Sequence, residues 1–318
     1  GFPADGADAE TLVKHAEVAM YRAKEEGRAV LRFYRAGMNA RAAERLVLID
    51  EMRQALPAGQ FELHYQPQLA LDTGSLIGVE ALIRWRHPQR GMIRPDIFIA
   101  LAEETGMIVP IGAWVIRTAC AQAAAWRRAG YGPLRMAVNL SPRQFNDAGL
   151  AGMVADILGA TGMAATCLEM EITEGLVMDK VEQAITTMQA LKSMGVRIAI
   201  DDFGTGYSSL AYLKRLPVDV LKIDQSFVRD IETDAGSAAM VGAVISMSHA
   251  LGLKVIAEGI ETPHQFEFLR SHGCDEGQGY LFGRPMPADE LASLLEARLL
   301  PDPAEAEGLA RKAQGRAL

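Results

Sequence analysis

The chain has 318 residues, 49% of them hydrophobic and 23% charged, with a formal net charge of −8. Those proportions match an ordinary globular protein and exclude a disordered chain, while the acidic balance excludes a broad basic face for nucleic acid. The length suits one (β/α)8 barrel of roughly 250 residues with additions as well as it suits two smaller domains.

The first predicted element is a helix from Asp8 to Gly27, where Leu12, Ala16, Ala19, Met20 and Ala23 recur at helical spacing. A short apolar run, Val30–Tyr34, reads as a strand. One helix and one strand cannot bury a core, so residues 1–36 are expected to be the remnant of a larger unit, and the missing initiator Met agrees with a fragment. Residues 37–57 read as a linker helix: Leu46, Ile49, Met52 and Leu56 share one face, and Pro57-Ala58-Gly59 ends it.

From residue 58 to 300 short β-rich runs alternate with helical ones. The runs are Phe61–Leu71, Leu76–Trp85, Met136–Leu140, Leu168–Thr173, Arg197–Ile200, Val218–Ile223, Lys254–Ala257 and Gly279–Phe282. Gly106, Gly130, Gly162, Gly195, Gly252 and Gly273 read as helix stops, and Thr262-Pro263 as an N-cap with Pro at the first helical position. Alternation implies a mostly parallel sheet, and eight strands over about 240 residues fit a closed TIM-like (β/α)8 barrel. Only Asp72-Thr73-Gly74-Ser75 joins the first two runs, too short for a helical crossover, so the first strand is expected to be antiparallel. Residues 301–318, rich in Ala, Pro and charge, are expected to form a flexible tail.

No apolar run approaches the roughly 18 residues of a membrane span, and the start lacks a signal-peptide pattern, so a cytoplasmic location is expected. An anchor or sensor upstream is compatible with this. Cys120, Cys167 and Cys274 lack metal-ligand or disulfide spacing and are expected to be small buried hydrophobes. Trp85, Trp114 and Trp126 are expected in packing roles.

Polar residues recur within or just after the apolar strands, toward their C-terminal ends: Glu80, Asn139, Glu171, Asp201, Asp202, Lys222, Asp224 and Glu258. Gln278 begins the last predicted strand. A parallel barrel gathers strand C-termini into one mouth, where such enzymes keep their active sites. Several carboxylates cannot sit together ionised without compensating charge, and oxygen donors of this kind suit Mg2+ or Mn2+. Adjacent Asp201 and Asp202 suit two metals with one carboxylate bridging, the usual device for setting water against a phosphodiester. Lys222 inside an apolar strand needs an anionic partner. Other motifs fail: the glycines after Asp202 lack the third one of a dinucleotide fingerprint, and the six histidines never form H-x-x-x-H.

The segments Glu80-Ala81-Leu82, Asn139-Leu140-Ser141, Glu171-Ile172-Thr173-Glu174, Asp201-Asp202-Phe203-Gly204-Thr205-Gly206, Leu221-Lys222-Ile223-Asp224, Ala257-Glu258-Gly259-Ile260-Glu261 and Gln278-Gly279-Tyr280-Leu281-Phe282 resemble the EAL-domain family. The resemblance covers residues 58–300 and implies a bacterial phosphodiesterase that hydrolyses cyclic di-GMP to linear pGpG. It implies that Glu80, Asn139, Glu171 and Asp201 hold a first Mg2+ or Mn2+, and that Asp201 and Asp202 hold a second. By the same resemblance Lys222 orients the attacking water, Glu258 acts as general base or second-site ligand, and Gln278 supports that network. Gln66, Arg84 and Glu261 are implied as substrate contacts, and Glu174 with the Asp202–Ser209 loop as the segment coupling a homodimer to the active site. Residues 1–36, with Ala19-Met20-Tyr21-Arg22-Ala23-Lys24, resemble the end of a GGDEF domain, so upstream GGDEF or sensor domains are expected, and no DNA partner. The rival expectation is a non-catalytic cyclic di-GMP receptor, which tolerates loss of Glu80 or Glu258; neither is lost here.

Overall fold

In the computed structural model, which describes residues 1–25, 30–35, 37–204 and 210–296, the chain opens with two helices, α1 (Ala9–Glu25) and α2 (Gly37–Ala55). The predicted strand Val30–Tyr34 is irregular chain: it pairs with no strand among the described residues, and Leu31 and Phe33 stand 77% and 72% exposed. β-rich composition without a ladder partner does not make a strand. Helix α2 buries Leu48, Met52 and Ala55. Ile49 and Leu56 of the predicted face also pack against the core, and of that face only Leu46 points outward.

The barrel begins with the hairpin β1 (Phe61–Ala70) and β2 (Leu76–His87), paired antiparallel from Phe61–Trp85 to Leu69–Leu76. Its turn closes because Asp72 accepts from the Thr73 amide and Gly74 takes a left-handed φ of 67°. A third strand, β3 (Gly91–Ile93), folds back on β2 and was not legible in the pattern. Helices α3 (Pro95–Thr105) and α4 (Ile108–Arg128) lead to β4 (Arg135–Asn139). Then come α5 (Pro142–Phe145), α6 (Leu150–Thr161), β5 (Leu168–Thr173), α7 (Glu174–Asp179), α8 (Val181–Ser193) and β6 (Arg197–Phe203). The second half adds α9 (Leu210–Leu213), β7 (Val220–Ile223), α10 (Gln225–Arg229), α11 (Ala235–Ala250), β8 (Lys254–Ala257), α12 (Pro263–Ser271), β9 (Glu276–Gln278) and α13 (Ala288–Glu296).

Strands β2, β4, β5, β6, β7, β8 and β9 run parallel around the ring, and β1 closes it antiparallel to both β9 and β2. The expected TIM-like barrel with an antiparallel first strand is therefore the observed one. Thr262 forms the predicted cap, its hydroxyl accepting from the Gln265 amide while Gln265 reaches back. One strand is displaced: β9 ends at Gln278, where the pattern placed a strand over Gly279–Phe282. The chain turns there because the Gly279 backbone lies against Ile260, where a Cβ would sit 2.1 Å from the Ile260 carbonyl oxygen. Gln278 thus ends a strand, as Asn139 does. The predicted tail, 301–318, lies outside the described residues.

Side chains two apart on a strand share a face, so the lumen is filled in layers. Ala199, Val220 and Ile256 form a small apolar plug at mid-height, separate from the large core between strands and helices. Below it lie Arg135, Glu169, Arg197 and Glu276 at strand N-termini; above it lie Glu171, Asp201 and Lys222 near the C-termini. Trp85 and Trp126 are buried and Trp114 half-buried; Cys120 and Cys274 are buried, whereas Cys167 is half-buried. Among the described helices α4 alone is long and apolar enough to cross a membrane; ten of its residues, Ile111 and Ile116 among them, are buried in the fold.

Candidate active site

The upper layer converges on one ammonium. Lys222 is completely buried, and its Nζ lies 2.7 Å from Glu171 Oε2, 2.6 Å from Glu258 Oε1 and 3.2 Å from Asp201 Oδ1. Burial opposes its charge, but Asp201, Glu171 and Glu258 outweigh burial and hold it well above the ordinary lysine range. The carboxylates respond in the opposite sense. Burial pushes Glu171 well above the usual carboxylate range, against the pull of Lys222. Glu258 is pushed up to about 8 by burial, with Asp201 and Glu80 adding repulsion against Lys222.

Neighbouring residues of a regular strand face opposite sides, so Asp201 and Asp202 should not share a site. The backbone resolves this: Asp202 has a φ of 54°, and the β6–β7 register breaks between Ile200 and Phe203. One carboxylate oxygen each from Asp201, Asp202 and Glu258 then lies within 4.8 Å of the others. Asp202 is pushed up to about 6 by burial, then by Asp201 and Asp224. Asp224, whose Oδ1 accepts from the Ser226 amide at 3.0 Å and so caps α10, is a neighbour the sequence reading left without a role. Its place directly after Lys222-Ile223 was the available signal.

On the β1–β2 side, Asn139 Nδ2 donates to Glu80 Oε1 at 2.6 Å, and Gln278 Nε2 donates to Glu80 Oε2. The same Gln278 nitrogen donates to Gln66 Oε1 at 2.9 Å. Arg84 is half-buried, with burial lowering its pKa against the attraction of Glu80, and donates to the Ile83 carbonyl at 2.9 Å. Glu174 is buried and accepts from the Gly204 amide at 3.1 Å, tying the end of β5 to the end of β6. Of the loop expected to couple to it, 205–209 lie outside the described residues. Glu261 is exposed, and its backbone amide donates to Gln265 Oε1, so it joins the α12 cap rather than this cluster. Gln68, which donates to Gln278 from below, and Arg135, which donates to Gln68, carried no role in the sequence reading.

The donor set fits divalent cations. It is all oxygen and crowded with carboxylates, and the fully buried Glu171 Oε1 has no hydrogen-bond partner. Glu80, Glu171, Asp201, Asp202 and Glu258 around the single ammonium of Lys222 leave an excess of negative charge that cations of this class would neutralise.

Comparisons with known proteins agree with this architecture. The EAL domain family matches residues 49–285. The Pseudomonas aeruginosa protein MucR, named a bifunctional diguanylate cyclase/cyclic di-GMP phosphodiesterase, is 47% identical over 290 residues, 91% of this chain and 42% of MucR. The cyclic di-GMP phosphodiesterase NbdA of the same organism is 45% identical over 296 residues, 93% of this chain and 38% of NbdA. The chain thus spans about two fifths of the length of these relatives. A solved structure of the MucR phosphodiesterase in complex with c-di-GMP matches with a TM-score of 0.75 and 48% identity, covering 77% of this chain and 99% of that one.

Proposed function

Because the chain belongs to the EAL domain family, we propose that it is a phosphodiesterase that opens one 3′–5′ phosphodiester bond of cyclic di-GMP to give linear pGpG. The observation that carries this reading is the layer of Glu80, Glu171, Asp201, Asp202 and Glu258 at one mouth of the barrel around Lys222. Its acidity is opposite to what a plain anion-binding pocket would present.

In this reading Glu80, Asn139, Glu171 and Asp201 hold one Mg2+ or Mn2+, and Asp201 with Asp202 a second. When bound, such ions lower the pKa of water and neutralise the phosphate charge. The chain's own residues do the rest. Lys222 Nζ is held among three carboxylates, and it would orient the attacking water once a bound cation draws one of those carboxylates away. Glu258 Oε1 lies against that ammonium, and its carboxylate form is placed to take the proton of the water. The water oxygen bonds to phosphorus, the bond to the 3′ oxygen breaks, and that oxygen takes a proton from solvent, to which Glu258 returns the one it accepted. Arg84 and Gln66, at the rim on β2 and β1, meet phosphate and guanine.

The chain is proposed to divide into a GGDEF-like remnant at 1–36, a linker helix at 37–57, the phosphodiesterase domain at 58–300 and a tail. The proposal extends to a cytoplasmic homodimer with GGDEF or sensor domains upstream, Glu174 linking the dimer to the site. Incubating the chain with cyclic di-GMP and Mg2+ and separating the products by chromatography tests the reaction. Appearance of pGpG supports it; stable binding with no product after long incubation overturns it in favour of a receptor.

A further inference from the structure

A buried line of hydrogen bonds passes through the barrel from its lower mouth to the candidate active site. Arg135 Nη2 donates to Gln68 Oε1 at 3.1 Å, Gln68 Nε2 donates to Gln278 Oε1 at 2.9 Å, and Gln278 Nε2 donates to Glu80 and to Gln66. Gln68 is completely buried, and Gln66, Gln278 and Arg135 are 7%, 4% and 8% exposed, so water does not substitute for any link.

The line has a direction, and its ends impose it. A guanidinium has donors only, so Gln68 must turn its carbonyl oxygen to Arg135 and its NH2 to Gln278. Gln278 must then face Gln68 with its oxygen, which aims both of its N–H bonds at the site. One meets the Glu80 carboxylate. The other meets Gln66 Oε1, whose own NH2 donates to the Gly283 carbonyl at 3.1 Å, another pure acceptor. Three amides with two possible orientations each are thereby held in one. Arg135 is itself pinned by ion pairs to Glu276 and Glu169. Gly78 leaves the passage open: a Cβ there would sit 2.9 Å from Arg135 Cβ and 3.2 Å from Gln68 Oε1.

We propose that Gln68 is a positioning residue: anchored by Arg135, it fixes the amide orientation of Gln278 and so holds Glu80 and Gln66 ready for cation and nucleotide. The inference rests on the reading of the upper layer as a cation-dependent phosphodiester site. It adds to that site two residues beyond those in its motifs, one at the opposite end of the barrel.

Two variants test it. Gln68→Met keeps the length and removes the hydrogen bonds; Gln68→Glu keeps the shape but offers only acceptors, which turns the Gln278 NH2 away from Glu80. Each is compared with the parent chain by titration with Mn2+, by thermal midpoint and by turnover of cyclic di-GMP. The expected result is Mn2+ binding weakened about tenfold and kcat lowered 10–100-fold in Gln68→Met, the usual scale for residues that support metal ligands. Gln68→Glu is expected to be worse on both. A purely structural Gln68 lowers the thermal midpoint while Mn2+ affinity and kcat stay within twofold of the parent, and that outcome overturns the proposal. If neither variant folds, the side-chain NH2 of Gln278 in the parent decides by NMR: slow hydrogen exchange supports the locked amide, and free exchange refutes it. A parent that binds Mn2+ but makes no pGpG removes the phosphodiesterase reading while leaving the Mn2+ test of Gln68 intact.

Discussion

The two mouths of this barrel carry similar residue types and opposite electrostatics. At the lower one, buried Glu169 and Glu276 face buried Arg135, with Arg197 and Lys254 at the rim supplying further positive charge. At the upper one, Lys222 is the ammonium shared by Glu171, Asp201 and Glu258, and Glu80 and Asp202 add charge without adding a cation of their own. In the lower set each carboxylate is ion-paired with an arginine inside the fold. The upper set is left short of positive charge, which is the condition of a site built to receive cations. Burial of charge therefore does not by itself mark function; the imbalance does.

The largest expected effect lies in the upper mouth. Glu258→Gln keeps the shape and should lower cyclic di-GMP turnover by about 10^3-fold, the scale of a lost general base. Turnover within tenfold of the parent, measured as pGpG formed per minute, removes Glu258 from the mechanism.

Removing the central cation of each mouth sharpens the contrast. Lys222→Met and Arg135→Met should each cost about 3–5 kcal/mol without metal, the usual penalty for leaving buried carboxylates unpaired. Mn2+ should raise the thermal midpoint of Lys222→Met by more than it raises that of the parent, and that of Arg135→Met by no more than the parent's. Equal recovery, or none in either, breaks the distinction between the mouths.

The pH dependence of stability follows from Glu258, which titrates at about 8 in the folded chain against an ordinary value of 4.5. Between those limits the folded state keeps a proton that the unfolded state has released, so stability falls as pH rises through the window. Glu171 is shifted in the same direction, and so is Asp202, to about 6. With chelator present, the thermal midpoint should therefore drop between pH 5 and 8, and Glu258→Gln should flatten that slope. Added Mn2+, which binds the deprotonated set, should protect more strongly at the alkaline end. A midpoint that climbs over this range contradicts the charge excess.

The smallest effect is expected at Glu261. Its side chain is exposed and its backbone belongs to the α12 cap, so Glu261→Gln should change kcat/KM by less than about threefold. A tenfold rise in KM would place it against the nucleotide after all.

Most of the fold could be read before any coordinates. The Asp72–Ser75 link was too short for anything but a hairpin, and the helix stops fell where glycines stood. What escaped reading were short elements whose existence depends on a partner. Val30–Tyr34 has strand composition but nothing to pair with, while β3, of three residues, exists because β2 lies alongside it. Gly279–Phe282 looked like a strand from its apolar residues, yet the close approach of Ile260 to Gly279 turns the chain one residue after Gln278.

The site divides in the same way. Carboxylates at strand ends were visible one by one because polar residues in apolar runs are conspicuous, and the motif resemblance supplied their order. That adjacent Asp201 and Asp202 serve one centre was expected, but how they can was not visible, since strand alternation sends them apart and only the left-handed backbone at Asp202 brings them together. Gln68 and Arg135 carried no signal either: their meaning comes from contacts across 67 and 210 positions of sequence. Composition and periodicity act between neighbours along the chain, so the sequence alone determined which residues are strand, helix and candidate ligand. Which of them face each other, in which direction the buried amides point and where charge goes uncompensated were decided by closure of the barrel, because hydrogen-bond polarity and Coulomb energy depend on distances that only the folded chain defines.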